Sequence, residues 1–211
     1  MNPFASIAKQ TRCCLYAAGF FLVNPVLAAA EKPETNALVT TPLFKDYWYA
    51  GEAEITSYTL AQARYGELHE GSAVLVYVTE PFSPGTQVKA DEARPENVTV
   101  LKLNASKKFL TGIYPYSILS STFSPIEENA SAIKISSSTQ EWCGQSYTQL
   151  NNREDFEILS HSYFEGEADQ NLSLAKVHRE EGADTESRVH LEHDIWTKIR
   201  LDPEGLQVGS I

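Results

Sequence analysis

The heptapeptide AVLVYVT, Ala73 to Thr79, decides the fold class. Val74, Val76, Val78 and Thr79 are β-branched and Tyr77 is aromatic. Gly71 closes the run upstream, and Pro81, Pro84 and Gly85 close it downstream. A run this short, bounded by breakers and rich in branched side chains, predicts a buried β-strand rather than a helix.

Working outward, the residues on both sides alternate. In EAEITSYTLAQARY (52–65), Ala53, Ile55, Ser57, Thr59, Ala61 and Ala63 share one face. Glu54, Thr56, Tyr58, Leu60, Gln62 and Arg64 share the other, which predicts a long strand with one wetter side. Gly66 and His69-Glu70-Gly71 predict the reversal after it. Downstream, a charged loop (89–96) leads to VTVLKLN (98–104) and GIYPYSILSSTF (112–123), where Pro115 predicts an edge or a bulge. AIKISSSTQEW (132–142), DFEILSHSYFEGEA (155–168) and NLSLAKV (171–177) continue the series. Helical spacing occurs only in LEHDIWTKIRL (191–201), through Leu191, Ile195 and Ile199. Strands in series without intervening helices predict antiparallel pairing. The expected architecture is mainly β: a single antiparallel, curved sheet, or a sandwich, with one short C-terminal helix.

The N-terminal residues answer a compartment question. Lys9 and Arg12 precede a mostly apolar run, Cys13 to Val23, and Ala28-Ala29-Ala30 offers small residues at a cleavage position. Residues 1–30 therefore predict a secretory signal peptide cut before Glu31, with an uncleaved N-terminal anchor as the other reading. Residues 31–43 read as a polar linker, and 44–211 as one β-rich domain. Its last ten residues are turn chemistry, so the helix caps the sheet or the domain is a shortened version of a longer one. The expected location is outside the cytoplasm, periplasmic or secreted. The formal charge of −11 becomes −13 once Lys9 and Arg12 leave with the signal. No basic cluster remains, which argues against nucleic acid and anionic lipid. No apolar run after residue 30 reaches transmembrane length. Asn97, Asn104, Asn129 and Asn171 begin Asn-x-Ser/Thr sequons that matter only in a glycosylating host.

After cleavage, Cys143 is the only cysteine, so no internal disulfide is available to the fold. It sits in QEWCGQSYTQL (140–150), one residue short of a Trp-Cys-Gly-x-Cys redox centre, with Ser146 in the second position. Without an apolar helical stripe after it, a lowered thiol pKa is not expected. Cys143 is expected instead to pack as a small hydrophobe beside Trp142 at a strand end, slow to react in the native protein. His190 and His193 stand three apart and would share a helix face, with His178, Glu180, Glu181 and Asp184 upstream as further donors. A metal site there is the weaker reading, and a solvated face the stronger. No Gly-x-Ser-x-Gly elbow or glycine-rich phosphate loop occurs. The carboxylate pairs Glu127-Glu128 and Glu180-Glu181 lie in polar runs. Aromatic side chains cluster at Tyr47-Trp48-Tyr49, at Tyr114 and Tyr116, and at Trp142 with Tyr147. Such clusters form either core pairs or an apolar or sugar-binding platform.

The blocks YWYAGEAEITSYTLAQARYGELHEG (47–71), KKFLTGIYPYSILSSTFSPI (107–126), QEWCGQSYTQLN (140–151) and IWTKIRLDP (195–203) resemble a family of exported bacterial proteins of unknown function. Some of its members carry the label septum formation inhibitor. Nucleotide pyrophosphatases of that name carry an N-terminal Ser-x-Ser-Pro-Arg-Arg loop that has no counterpart here, so the resemblance implies no catalytic residues. It implies more strands beyond the IWTKIR block in longer relatives. More loosely, long curved antiparallel sheets in exported proteins resemble the lipoprotein-carrier folds.

Together these readings predict an exported, non-catalytic β-rich module that binds an apolar small molecule or a cell-envelope protein, with no cofactor. Trp48, Tyr116, Trp142 and Cys143 are the candidate ligand-binding residues. The alternative is a metal-dependent hydrolase built on His190 and His193.

Overall fold

The computed structural model of the chain describes residues 41–126, 130–179, 186–203 and 206. The expected signal peptide, most of the linker, Glu127-Glu128, Asn129, Glu180, Glu181 and Asp184 lie outside them. The described chain is mainly β, built on one antiparallel sheet that does not close. Its strands are β1 (Glu54–Arg64), β2 (Glu67–Ser83), β3 (Val88–Lys89), β4 (Val98–Thr111), β5 (Tyr114–Pro125), β6 (Lys134–Glu141), β7 (Gly144–Asn152), β8 (Phe156–Ser162) and β9 (Gln170–Leu174). They pair in chain order, β1-β2-β4-β5-β6-β7-β8-β9, with β3 added beside β2. A separate hairpin joins β10 (Val177–Arg179) to β11 (Glu186–Arg188). All nine strands belong to one sheet, so the sandwich alternative is not realised.

AVLVYVT lies inside β2, the longest strand, held between β1 and β4. The reversal before it is tighter than its sequence suggests. Tyr65 and Gly66 alone make the turn, with φ of 53° and 81°, the type I′ geometry that suits the twist of paired strands. His69-Glu70-Gly71 runs straight on in β2. Gly71 answers a different demand: a Cβ there would stand 2.2 Å from the Lys108 carbonyl oxygen and 2.8 Å from the Phe109 Cβ of β4. In β1 the wetter face is the reverse of the one its residues suggest. Ile55, Ser57, Thr59, Ala61 and Ala63 are exposed, whereas Glu54, Gln62 and Arg64 are half-buried. The charged side chains on that face have partners: Glu54 pairs with Arg200, and Arg64 donates to Tyr116.

One face of the sheet is covered by helices. Tyr77, Leu103, Thr122, Ile135, Leu150 and Ile158 face each other across successive strands. Over β2 and β4, Trp48 from α1 (Pro42–Trp48) and Leu201 from α2 (Ile195–Leu201) pack on Tyr77, Leu101 and Leu103. Over β6 to β8, Leu191 packs on Ile135, Leu150, Phe156 and Ile158. Each such fully buried side chain contributes about 1.5–3 kcal/mol. The loop between β2 and β4 crosses the opposite face, where Lys134 and Arg153 donate to the carbonyls of Gln87 and Gly85. Phe82 and Val100 are buried on that face, with Phe82 5.3 Å from Phe123.

The C-terminal helix is present but shorter than its sequence spacing predicts. Glu192–Asp194 form a 3-10 turn, and α2 begins at Ile195. Leu191 is buried, but Ile195 and Ile199 are 40% and 39% exposed, so they are not its packing stripe. The buried side is Asp194, Thr197 and Leu201. Asp194 is fully buried and accepts from Ser124 Oγ at 2.5 Å, Thr197 Oγ1 at 3.0 Å and the Ala132 N–H at 3.0 Å. The two hydroxyls share Oδ1, and Lys198 Nζ stands 3.1 Å from Oδ2, which also accepts the Ala132 N–H. Here a buried polar cluster fastens the helix where an apolar stripe was expected.

Candidate functional site

The up-and-down order of the sheet places the β1–β2, β4–β5, β6–β7 and β8–β9 turns at one end. Thr59, Ser72, Lys108, Ser117, Gln140 and Gln145 form one row across six strands. β1 runs on from that row through Leu60–Arg64, five residues, before its turn. β4 runs on through Phe109–Thr111, three residues, and β6 through Glu141 alone. β8 ends at Ser162, opposite Ser146, and the next N–H, of Tyr163, still donates to the Gln145 carbonyl at 3.0 Å, level with the row. The first three hairpins therefore each stop two residues earlier than the one before. With a rise of about 3.4 Å per residue and about 4.8 Å between strands, that step sets the line of these turns about 35° from the perpendicular to the strands. The first three turns consequently fall along a line oblique to the strands, and the β8–β9 connection completes the rim beside the third, with Tyr163 and Phe164 against Gly144.

Every turn of the rim presents a large exposed apolar side chain. Tyr65 is 61% exposed, Ile113 72%, Trp142 66% and Tyr163 76%. Tyr114 and Phe164 are exposed beside them. The two-residue turns Tyr65-Gly66, Gly112-Ile113 and Trp142-Cys143 carry no charge, whereas the longer β8–β9 connection, residues 163–169, opens on Tyr163-Phe164 and continues through Glu165, Glu167 and Asp169. The loops of the other end differ, with Asp91, Glu92, Arg94 and Glu96 before β4 and Arg153, Glu154 and Asp155 before β8. Local chemistry explains how the chain turns so tightly. Gly112 has φ of 62°, the first-position demand of a type II′ turn. The Cys143 N–H donates to Glu141 Oε2 at 2.8 Å, and Tyr114 meets Trp142 edge-on at 5.7 Å.

Behind the rim, side-chain contacts brace the sheet. The Arg64 guanidinium lies 4.9 Å from the ring centres of both Tyr65 and Tyr116. Tyr116 stacks on Phe109 at 4.8 Å, and its hydroxyl is 3.0 Å from that of Tyr65. Burial, with the hydrogen bond to Tyr65, pushes the Tyr116 hydroxyl up to about 12 against the opposing pull of Arg64. It therefore stays protonated and is no acid or base near neutral pH. Between the rim and the apolar clusters the covered face carries hydroxyls. Ser120 and Ser137 lie 3.0 Å apart, and Thr148 and Ser160 3.1 Å.

The four candidate ligand-binding residues do not converge. Trp48 is buried beneath α1, and Tyr116 is buried in the brace just described. Trp142 and Cys143 form the β6–β7 turn. Cys143 is exposed, contrary to its expected burial, because the strand ends at Glu141 and both residues project as the turn itself. His190 and His193 do not share a helix face. His190 lies in extended chain and is exposed, while His193 belongs to the 3-10 turn and is half-buried. Burial, reinforced by Lys107 and opposed by Glu192, holds the His193 imidazole below its ordinary value. Among the described residues, no group of three or more His, Cys, Asp or Glu is placed to hold a metal ion. Two Ser-x-x-Lys spacings, Ser131 to Lys134 and Ser173 to Lys176, form no nucleophile-base pair. Lys134 Nζ donates to Gln87 and Lys176 Nζ to the Arg153 carbonyl.

Sequence reasoning missed that Tyr65, Ile113 and Tyr163 belong with Trp142. The signal was there: each is a large apolar residue in or beside the turn of every second hairpin. No protein-family model, curated protein or solved structure matches the chain. Among the described residues, no helix is long and apolar enough to cross a membrane.

Proposed function

We propose that the protein is a non-catalytic binding module that acts outside the cytoplasm and meets an apolar surface of an envelope partner through its rim. The observation that supports this reading is the exposure of Tyr65, Ile113, Trp142 and Tyr163 on the four turns at one end of the sheet. Burying even two such side chains on a partner contributes several kcal/mol, about 1.5–3 kcal/mol each. Exposed aromatic residues brought together without a core to fill are a recurrent mark of interaction sites. Among the described residues the nucleophiles, histidines and carboxylates are dispersed or engaged in structural hydrogen bonds, which favours binding over chemistry. The export reading is supported by the Lys9/Arg12, apolar and Ala28-Ala29-Ala30 order of the first thirty residues.

Native mass spectrometry with lipid extraction after mild purification tests it. The expected result is a bound apolar species or partner that disappears in Trp142→Ser/Tyr163→Ser, with the unfolding transition unchanged. Equal occupancy in the native protein and the variant would remove the rim from the function.

A further inference from the structure

We infer that β1 is a docking edge for a second copy of this chain, the two β1 strands pairing antiparallel about a two-fold axis at Thr59. Backbone geometry is the first reason. Among the described residues β1 pairs with β2 alone, so its other side presents unpaired N–H and C=O groups. The two-residue turn at Tyr65-Gly66 is closed by a doubly hydrogen-bonded pair, Arg64 with Glu67, and the register runs unbroken back to Glu54. Even-numbered residues therefore direct their backbone groups to β2. Ile55, Ser57, Thr59, Ala61 and Ala63 direct theirs outward. The edge lacks the usual protection. It is eleven residues long, without proline, lysine or a bulge, and its only charges stand at its two ends. Where β2 runs past β1 its own edge is closed, by β3 on Phe82 and Ser83 and by the Ala90 N–H on the Pro81 carbonyl.

The residues of β1 then select its own copy as the occupant. Pairing about Thr59 sets Ile55 against Ala63 and Ser57 against Ala61, so each outward donor meets an outward acceptor. The same register puts Glu54 opposite Arg64 and Tyr58 opposite Leu60, twice over. A slip of two residues would keep the hydrogen bonds but part Glu54 from Arg64. Both already hold partners within the chain, Arg200 and Tyr116, so they set register more than they supply affinity. Ile55 is 66% exposed and Tyr58 51%, apolar area that the pairing partly covers. The other edge of the sheet, β9, has only five residues, and joining it to β1 would be a head-to-tail contact that does not close. The two-fold axis stands perpendicular to the sheet and sends the two rims to opposite ends. The dimer is therefore independent of the rim.

Sedimentation velocity of the full chain from about 1 to 100 µM tests the inference, since a contact this small gives a reversible equilibrium. The apolar run Cys13 to Val23 is common to every variant and cancels in the comparison. The mean mass should rise with concentration from 23.4 kDa toward twice that value. Amide exchange at Ser57, Thr59 and Ala61 should slow with it, while Tyr58 and Leu60 stay unchanged. Ser57→Glu/Ala61→Glu sets like charges opposite each other and should weaken the dimer about tenfold or more. Ser57→Glu/Ala61→Lys should restore it, and both positions are exposed, so the unfolding transition should hold. Thr59→Pro removes an outward N–H without touching β2 and should also give a monomer. A monomer at every concentration, or association that survives the Glu/Glu and proline variants, would overturn the inference. Loss that the Glu/Lys variant does not regain, or growth past the dimer, would overturn it as well. If Trp142→Ser/Tyr163→Ser abolishes the dimer instead, the copies meet through the rim: the edge falls and the rim reading stands.

Discussion

At the scale of single residues, the fold depends on polar groups that its sequence does not advertise. Asp194 follows two histidines and an acidic residue and looks like surface, yet it is fully buried beneath α2. It joins the Ser124 hydroxyl of β5, the Ala132 N–H, Thr197 and Lys198 at one point. Removing it leaves a half-buried cation without its counter-charge and a buried amide N–H without its acceptor. Asp194→Ala should therefore cost about 3–5 kcal/mol, measured by urea unfolding. Asp194→Asn keeps the shape and some hydrogen bonds but leaves Lys198 without its counter-charge, and should cost less. A loss within about 0.5 kcal/mol for the alanine variant, the range of an ordinary surface change, would contradict this role. Cys143 errs in the opposite direction. Its apolar character suggests burial, but Glu141 ends its strand one residue before Trp142, and the turn carries the thiol into solvent.

At the scale of elements, legibility followed the contrast between faces. AVLVYVT was readable because β2 sits inside the sheet and its residues are branched whichever way they point. GQSYTQLNN, which forms β7, was not, because a hydroxyl row lines its covered face and Tyr147, Gln149 and Asn151 line the other. Period-two alternation has nothing to alternate between when both faces are polar. The first helix was missed although its signals were local: Thr41 Oγ1 accepts from the Phe44 N–H, and Pro42 opens the first turn. At Pro115 the expectation of an edge holds in a local sense. It pairs with Leu110 of β4 but lies beyond the last β5–β6 pair, Ser117 with Gln140. Gly71 offers the direct check on strand packing. Its place was read as a turn, but the close approach of β4 is what requires glycine. Gly71→Ala should push β2 and β4 apart and lower stability by about 1–3 kcal/mol, with amide exchange rising first around Ser72 and Lys108. An alanine protein as stable as the parent would show that the strands separate there without cost.

At the scale of the whole molecule, strand order and register together produce the one feature that points outward. Antiparallel pairing sends alternate turns to opposite ends, and a two-residue step aligns the first three of one set. Neither property is visible in any single segment, which explains why Trp142 was recognised as a candidate while Tyr65, Ile113 and Tyr163 were not. The turn at Trp142-Cys143 also supplies a native reporter for the central claim. The decisive measurement compares the rate of Cys143 labelling by a small thiol reagent in purified protein with its rate in the cell-envelope fraction. A rim that meets an envelope partner gives rapid labelling when purified, strong protection in the envelope, and loss of that protection in Tyr65→Ser/Tyr163→Ser. Labelling at the same rate in both settings, with no effect of the variant, would show that the rim meets nothing and would contradict the account.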